Sequence, residues 1–329
     1  MNIMEMLPTL TSDSSKADES DTGTALSRTQ QRLLDASSRI LQEPPDRADF
    51  LHACMCQVGL PRRRTEEKSF ERQSGHISML LEAGKLWNGT EWVEQPLPYG
   101  ATPRLVMVHV SSEAIRTRNR SIEVGDSVRQ FLTTLGIPTS GGERGGYTMF
   151  RKQMEALAAC RLTLGMHAEG RVVTVDAKPI KRFEAWLTTQ GTQQTLWPGV
   201  LELSQDFYDT LVNHAVPLDY RALSALKHSA LALDVYTWLA HRLCRVRNPN
   251  GEKLSWENLR DQFGQEYADP KNFKKEFRSA LHQVSVVYPD ARIDAVPGGL
   301  TLFPSRPPLS RTTVSMSQIG QAAVDKSEG

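Results

Sequence analysis

Apolar residues recur at helical spacing along much of this chain, and short alternating runs separate the helical segments. Near the N-terminus this pattern predicts amphipathic helices over residues 29–41 and 46–58. Apolar and polar residues alternate over 76–81 and again at Trp92-Val93, which predicts a small hairpin with Asn88-Gly89 at its turn. A helical extension is therefore expected to precede the first compact unit.

The next stretch has the element order of a winged-helix domain. Periodicity and capping residues predict helices over 103–115, 126–136 and 150–158, followed by strands at 161–166 and 171–175. The glycine-rich stretch 141–146 is expected to make the turn before the third helix. The order of helix, turn, helix and hairpin predicts a first winged-helix domain.

The second half repeats this order without obvious sequence identity. A strand is predicted at 200–203, and helices are predicted over 205–212, 218–226 and 231–243. Ser255 and Asp269-Pro270 are typical residues for the starts of two further helices. A Pro297-Gly298-Gly299 turn then separates strand-like runs at 292–296 and 300–303. These elements predict a second winged-helix domain.

The predicted fold class is therefore α+β, mainly helical, with two tandem winged-helix domains. The expected limits are a disordered tail at 1–28, a helical N-terminal extension and linker at 29–74, winged-helix domains at 75–190 and 191–306, and a disordered tail at 307–329. The N-terminal tail is predicted from the acidic, Ser-rich composition of residues 11–24.

The helix predicted to begin at Pro270 has chemistry suited to DNA recognition. A step of 100° per residue places Phe273 and Phe277 on its buried face. The opposite face carries Lys271, Lys275, Arg278 and His282, flanked by Asn272 and Ser279. A helix fits the major groove, where Arg and Lys bind guanine and Asn binds adenine. A solvated charged face is the alternative interpretation, but the position between a short helix and a hairpin favours a recognition helix.

Weaker candidates for DNA binding lie in the first half. The helix around Phe150 exposes Thr148, Arg151 and Lys152, although Glu155 on the same side would repel phosphate. Arg116, Arg118 and Arg120 precede Ser121 and are candidates for phosphate contacts, with a solvated loop as the alternative. The basic run at 62–64 is interpreted as a solvated linker, with a contact to DNA phosphate as the alternative.

Charge and cysteine content narrow the class of protein. The net charge is +1, so a DNA-binding surface must come from local segregation of basic residues. The four cysteines lack a second pair at zinc-ligand spacing, and few, scattered thiols are typical of a reducing compartment. No apolar run is long enough to span a bilayer. The sequence thus predicts a cytoplasmic protein with no membrane partner.

Catalytic chemistry is not predicted. The glycine-rich stretch 141–146 lacks the Lys-Ser or Lys-Thr of a phosphate-binding loop, and the eight histidines are isolated from one another. Asp219 and Asp234 are better explained as a helix cap and a satisfied polar group near the core than as paired catalytic carboxylates. We therefore expect no enzyme activity, no cofactor, no metal and no catalytic residue.

Several short stretches together resemble the plasmid-encoded RepA family of replication initiators. They lie between residues 97 and 305, and they are Leu97-Pro98-Tyr99-Gly100, Pro103-Arg104-Leu105, Gly141-Gly142, residues 231–239, Ser255-Trp256, Gln262-Phe263-Gly264, residues 273–277, Val287-Tyr288-Pro289 and Gly298-Gly299-Leu300. The resemblance implies two winged-helix domains that bind repeated sites, or iterons, at a plasmid origin, open the nearby duplex and help to load the host helicase.

The resemblance also implies the partners. These are double-stranded origin DNA, the host initiator, the replicative helicase and, by analogy with iteron-binding initiators, a second copy of the chain in a homodimer. The alternative function is a winged-helix transcriptional repressor without a replication role, which has the same DNA chemistry and different partners. Origin repeats differ between plasmids, so the predicted contact residues rest on helix geometry.

Overall fold

The structure is a computed structural model that describes residues 26–123, 132–133, 137, 145–168, 170–176, 178–190 and 193–309 of the 329-residue chain. Its helices are α1 (Arg28–Gln42), α2 (Ala53–Gln57), α3 (Ala101–Thr117), α4 (Gly146–Ala159), α5 (Gln205–His214), α6 (Tyr220–Leu226), α7 (Ala230–Arg242), α8 (Trp256–Phe263) and α9 (Pro270–Val287). Its strands are β1 (Ala48–His52), β2 (Ser69–Ser74), β3 (Ile77–Glu82), β4 (Lys85–Trp87), β5 (Trp92–Glu94), β6 (Ser121–Glu123), β7 (Arg161–Ala168), β8 (Arg171–Asp176), β9 (Ile180–Gln190), β10 (Gln193–Leu203), β11 (Ala215–Asp219), β12 (Glu252–Ser255), β13 (Ile293–Val296) and β14 (Gly299–Leu302). The protein is thus a mixed α/β protein.

Antiparallel sheets connect segments that are distant in sequence. One sheet has the order β2-β3-β7-β8, and Ile77 of β3 lies opposite Met166 of β7. A second has the order β6-β10-β9, and strands β1 and β11 form a separate pair. Strands β4 and β5 form a hairpin by themselves. Pairing between β3 and β7 brings the strands before α3 together with the strand after α4.

Helices α8 and α9 and strands β12 to β14 follow α7 in the C-terminal part of the chain. Ser255 caps α8 in a reciprocal capping box with Asn258. Asp269 caps α9 by accepting a hydrogen bond from the backbone N–H of Lys271, and Pro270 occupies the first turn. Strand β12 completes a three-stranded sheet with the hairpin, in the order β12-β14-β13. Local capping and turn signals explain why this part of the chain follows the predicted element order.

The predicted helix over 46–58 is wrong in its first half. Residues Ala48–His52 form strand β1, which pairs with β11 and is buried along its whole length, and only Ala53–Gln57 is helical. Long-range strand pairing outweighs the local helical periodicity here. Because α3 also packs on β1, the N-terminal extension is part of the folded core.

The predicted first hairpin has the correct turn and the wrong first strand. Asn88 makes the turn, and its side-chain oxygen accepts hydrogen bonds from the backbone N–H groups of Thr90 and Glu91. The strand that pairs with β5 is β4, whereas residues 77–82 form β3 inside the four-stranded sheet. Strands β4 and β5 pair over only three residues each, which is too short to show a clear alternation of apolar and polar residues. The alternation is clearer in the longer strand β3, so that segment was predicted as the partner of β5.

The boundary expected between residues 190 and 191 falls between β9 and β10, which pair with each other. A division there would separate the two strands of one hairpin, so the segments on either side share a sheet.

The predicted helix over 126–136 and the glycine-rich turn over 141–146 lie mostly outside the described residues. Among the described helices, none is long and apolar enough to cross a membrane.

A buried cluster of charged side chains joins these segments. The Arg104 guanidinium donates Nε to Asp234 Oδ1 at 2.7 Å and Nη2 to Asp234 Oδ2 at 2.9 Å. Arg62 and Arg72 lie 3.5 and 3.7 Å from the same carboxylate. Both also lie near Glu266, with Arg72 Nη2 at 3.0 Å from Oε2. Residues 62–64 were expected to be a solvated linker, and for Arg62 this is wrong because its side chain belongs to this cluster.

Three cations and two carboxylates make this cluster sensitive to loss of one charge. Burial, followed by repulsion from Arg62, lowers the pKa of Arg72 to about 10. Gly59 is required beside the cluster, because a Cβ there would lie 2.6 Å from Asp234 Oδ1. Asp234 therefore supplies charge compensation that a neutral side chain of the same size cannot provide.

We predict that Asp234→Asn destabilises the protein by about 3 to 5 kcal/mol, because it leaves buried arginines without their shared carboxylate. Urea unfolding measured by circular dichroism tests this value. Asp290→Asn, at an exposed position after α9, is the matched control and should leave the midpoint unchanged. Equal unfolding free energies for the two variants would contradict the proposed role of Asp234.

Candidate nucleic-acid interface

An aromatic cluster holds helix α9 in place. Phe273 and Phe277 lie on its buried face, and the centroids of their rings are 5.5 Å apart. Phe277 also contacts Phe263 of α8 at 5.5 Å and Trp256 at 6.1 Å between ring centroids. The whole buried stripe is Phe273, Phe277, Ala280, Leu281, Val284 and Val287. This packing fixes which face of α9 points outward.

The outward face of α9 contains the residues predicted for DNA recognition. Lys271, Asn272, Lys275, Arg278, Ser279 and His282 are all exposed. Within the described part of the chain, no carboxylate lies within ion-pair distance of the four basic members of this set. We call these six residues the basic face of α9. The positive charge of this face is available to an anionic ligand. Helix α9 has 18 residues and is therefore about 27 Å long.

Trp256 is a contributor to this surface that the sequence pattern did not reveal. The indole ring lies under two cations, with Lys274 Nζ at 4.9 Å and the Arg278 guanidinium carbon at 5.4 Å from its centroid. Such cation–π contacts restrict the direction of both side chains. Trp256 and Arg278 are on different helices, so helical periodicity could not bring them together; only the cap at Ser255 was visible in the sequence.

The arginines predicted to contact phosphate before β6 are differently placed. Arg116 is mostly buried and contacts Glu113 at 2.7 Å and Asp49 at 3.4 Å. Arg120 contacts Glu202 at 2.6 Å. Arg118 is exposed, and it ends α3 in the left-handed conformation with φ of 54°. Because carboxylates already neutralise Arg116 and Arg120, the structure does not support their prediction as phosphate contacts and leaves Arg118 as the candidate.

The candidates on α4 form a smaller and less basic surface. Lys152 is exposed, whereas Thr148 and Arg151 are partly buried. Glu155 is partly buried beside Arg151 and Lys152, and burial raises the pKa of its carboxyl group although both cations oppose the shift. Glu155 therefore lies beside the cations of α4, as the sequence indicated. The outward face of α9 is more positively charged than that of α4.

The described residues contain no group of three or more His, Cys, Asp or Glu side chains arranged to hold a metal ion. All four cysteines have free thiols. Asp219 and Asp234, the two residues weighed as paired catalytic carboxylates, each have a structural partner. Asp219 caps α6 and contacts Arg221 Nη2 at 2.7 Å, and Asp234 contacts Arg104.

Comparison with protein families identifies the central part of the chain. Residues 97–258 match the family described as plasmid encoded RepA protein. This segment is similar to the plasmid RepA family. The RepA segment runs from just before α3 to the first turn of α8, so it includes Arg104 and Asp234. Helix α9 lies beyond the matched residues, and its assignment rests on geometry.

No curated protein matches the chain. Among solved structures, the chain is similar to the crystal structure of domains 2 and 3 of RctB, determined from selenomethionine derivatives. The sequence identity is 9%, the TM-score is 0.45, and the alignment covers 82% of this chain and 96% of the other.

We predict that Phe277→Ala lowers the free energy of unfolding by about 3 to 5 kcal/mol, because it opens a cavity among three aromatic rings. Lys275→Ala, on the opposite face of the same helix, should change it by less than about 0.5 kcal/mol. Thermal or urea unfolding of both variants measures the difference. If Lys275→Ala were the more destabilising, the assignment of buried and exposed faces would be wrong.

Proposed function

We propose that this protein initiates plasmid replication by binding double-stranded DNA at the plasmid origin through the basic face of α9. The observation that carries the proposal is the segregation of charge on this helix. One side is held by Phe273 and Phe277, and the other presents cations that have no carboxylate partner among the residues that the structure describes. The match of residues 97–258 to the RepA family supports the replication role.

The dimensions and chemistry of α9 suit the major groove. A helix with side chains is about 10 to 12 Å in diameter and the groove is about 12 Å wide. Arg278 and Lys275 can donate to guanine O6 and N7, and Asn272 can pair with adenine. Lys271 is closest to the helix N-terminus and is assigned to phosphate. The basic face therefore combines groups that read bases with groups that fix position.

We interpret the elements around α9 as a winged-helix domain. Helices α7, α8 and α9 precede the hairpin β13–β14, and β12 pairs with β14 at the side of this hairpin. Helices α3 and α4 with strands β7 and β8 are interpreted as its counterpart in the first half. In this arrangement α9 reads one part of an iteron, and Arg118 and Lys152 contact the flanking backbone.

The later steps of initiation follow from the proposed role. The bound protein would open adjacent duplex and recruit the host initiator and the replicative helicase in the cytoplasm. A homodimer is proposed for a second mode of DNA binding. We assign the protein a binding function and no catalytic step.

Arg278→Ala is expected to cost about 1 to 3 kcal/mol of specific DNA binding and to relax sequence preference. Asn272→Ala should behave in the same way. Titrations at one fixed salt concentration, with specific and scrambled duplexes, measure both effects. Lys271→Ala is the comparison variant, and it should weaken binding to both duplexes alike. Unchanged specific affinity in Arg278→Ala and Lys275→Ala would show that α9 is not the recognition helix.

Replication in trans tests the initiator role. An origin fragment on a plasmid that lacks this gene should replicate only when the protein is supplied. Failure with folded, DNA-binding protein would contradict initiation and would favour the repressor alternative. Strand cleavage of the fragment by the purified protein with divalent metal would contradict the assignment of a binding function without catalysis.

A further inference from the structure

A second group of cations lies beside the basic face of α9. Its members are Arg32 on α1, Lys227 at the end of α6 and Arg63 in the segment before β2. They come from three separate parts of the chain, and the sequence indicated a DNA contact only for Arg63, as the alternative to a solvated linker. We call Arg32, Arg63 and Lys227 the flanking cluster.

Contacts around His228 bring Arg32 and Lys227 together. Arg32 Nη1 lies 3.2 Å from His228 Nδ1, and the guanidinium also donates to Thr29 Oγ1 and to the carbonyl oxygen of Arg28. Burial lowers the pKa of the Lys227 ammonium group, and repulsion from Arg32 lowers it further. The fold thus holds like charges close together at this point.

A groove of about 320 Å³ lies between Arg63 and α9. Its walls include Arg63 and His228 on one side and Ser279 and Gln283 of α9 on the other. Ser279 is also a member of the basic face. The guanidinium of Arg63 lies over the ring of Tyr267, 5.4 Å from its centroid, which directs this side chain along the groove wall. Arg63 and Ser279 therefore line one groove, and Arg32 contacts the same groove through His228.

The flanking cluster lacks charge compensation within the protein. In the described ranges, no carboxylate oxygen lies within 4.0 Å of the charged nitrogens of Arg32, Arg63 or Lys227. Neighbouring Arg62, in contrast, contacts both Asp234 and Glu266. Unpaired cations held together are stabilised by an external anion.

We infer that the flanking cluster binds the phosphates of the DNA strand that borders the groove occupied by α9. This inference rests on the proposed function, because it uses the position of α9 in the major groove. When a helix fills the major groove of DNA, the protein surface immediately beside that helix lies against the phosphate backbone. Three added phosphate contacts strengthen binding to every sequence and carry no base preference.

Glu276 is the acidic residue on this groove, and it is exposed. Its carboxylate would face the same phosphates and oppose their binding. Removal of this carboxylate should therefore have the opposite effect to removal of a cation. Glu276→Gln should tighten binding to specific and scrambled duplexes alike.

Salt dependence of DNA binding tests the inference. The slope of log K against log salt is negative for DNA binding. In the full-length protein, Arg32→Gln, Arg63→Gln and Lys227→Gln should each reduce its magnitude by about 0.9, and the triple variant by about 2.7. The ratio of specific to non-specific affinity should stay at the wild-type value. Lys85→Gln, at an exposed position on β4, is the control and should keep the wild-type slope.

Wild-type slopes in all three single variants, with folding verified by circular dichroism, would overturn the inference. A fall in the specificity ratio would also overturn it, because it would indicate base reading. The proposed function fails differently: the wild-type protein would then show no preference for any origin sequence, and Arg278→Ala would have no effect. Arg63 is exposed, so its single variant keeps the test valid if the triple variant does not fold.

Discussion

The fold depends on one buried carboxylate. Asp234 lies on α7 and contacts Arg104 of α3, Arg72 of β2 and Arg62. Arg104 also donates to the carbonyl oxygens of Leu60, Pro61 and Gly100, so the turn before β2 and the start of α3 are fixed against the same helix. A buried ion pair contributes little net stability by itself, but the loss of one partner is costly. The cluster therefore specifies how the N-terminal segments sit on α7.

The candidate DNA-binding surface follows from this arrangement. Helix α9 packs against α7 and α1, and its aromatic residues fill the space between α9 and α8. Once Phe273 and Phe277 are buried, the 3.6-residue repeat leaves the basic residues outward. Glu266, which follows α8, is held by Arg62 and Arg72, so the loop that leads into α9 belongs to the same ionic cluster. A chain with a net charge of only +1 thereby presents a local cationic surface.

The sequence predicted the elements whose signals are local. Ser255 and Asp269 mark the starts of α8 and α9, and the turn at Pro297-Gly298 marks the hairpin. The faces of α9 followed from its own repeat. Strand β1 was missed because its burial depends on β11, more than 150 residues later. The ionic cluster was missed for the same reason, since Arg104 and Asp234 are 130 residues apart and Arg72 and Glu266 are 194 apart. Partners at such distances are set by tertiary packing.

The central claim is that the outward side of α9 enters the major groove of duplex DNA. Site-specific photo-crosslinking tests it most directly, with the reagent attached to a cysteine introduced by Lys275→Cys after the exposed thiol of Cys244 is removed by Cys244→Ser. In a complex with origin DNA, we expect cross-links to bases at fixed positions within each repeat, and no such cross-links from Leu34→Cys on the exposed side of α1. If position 275 gave no base cross-links, or the same pattern on scrambled DNA, the account would be contradicted.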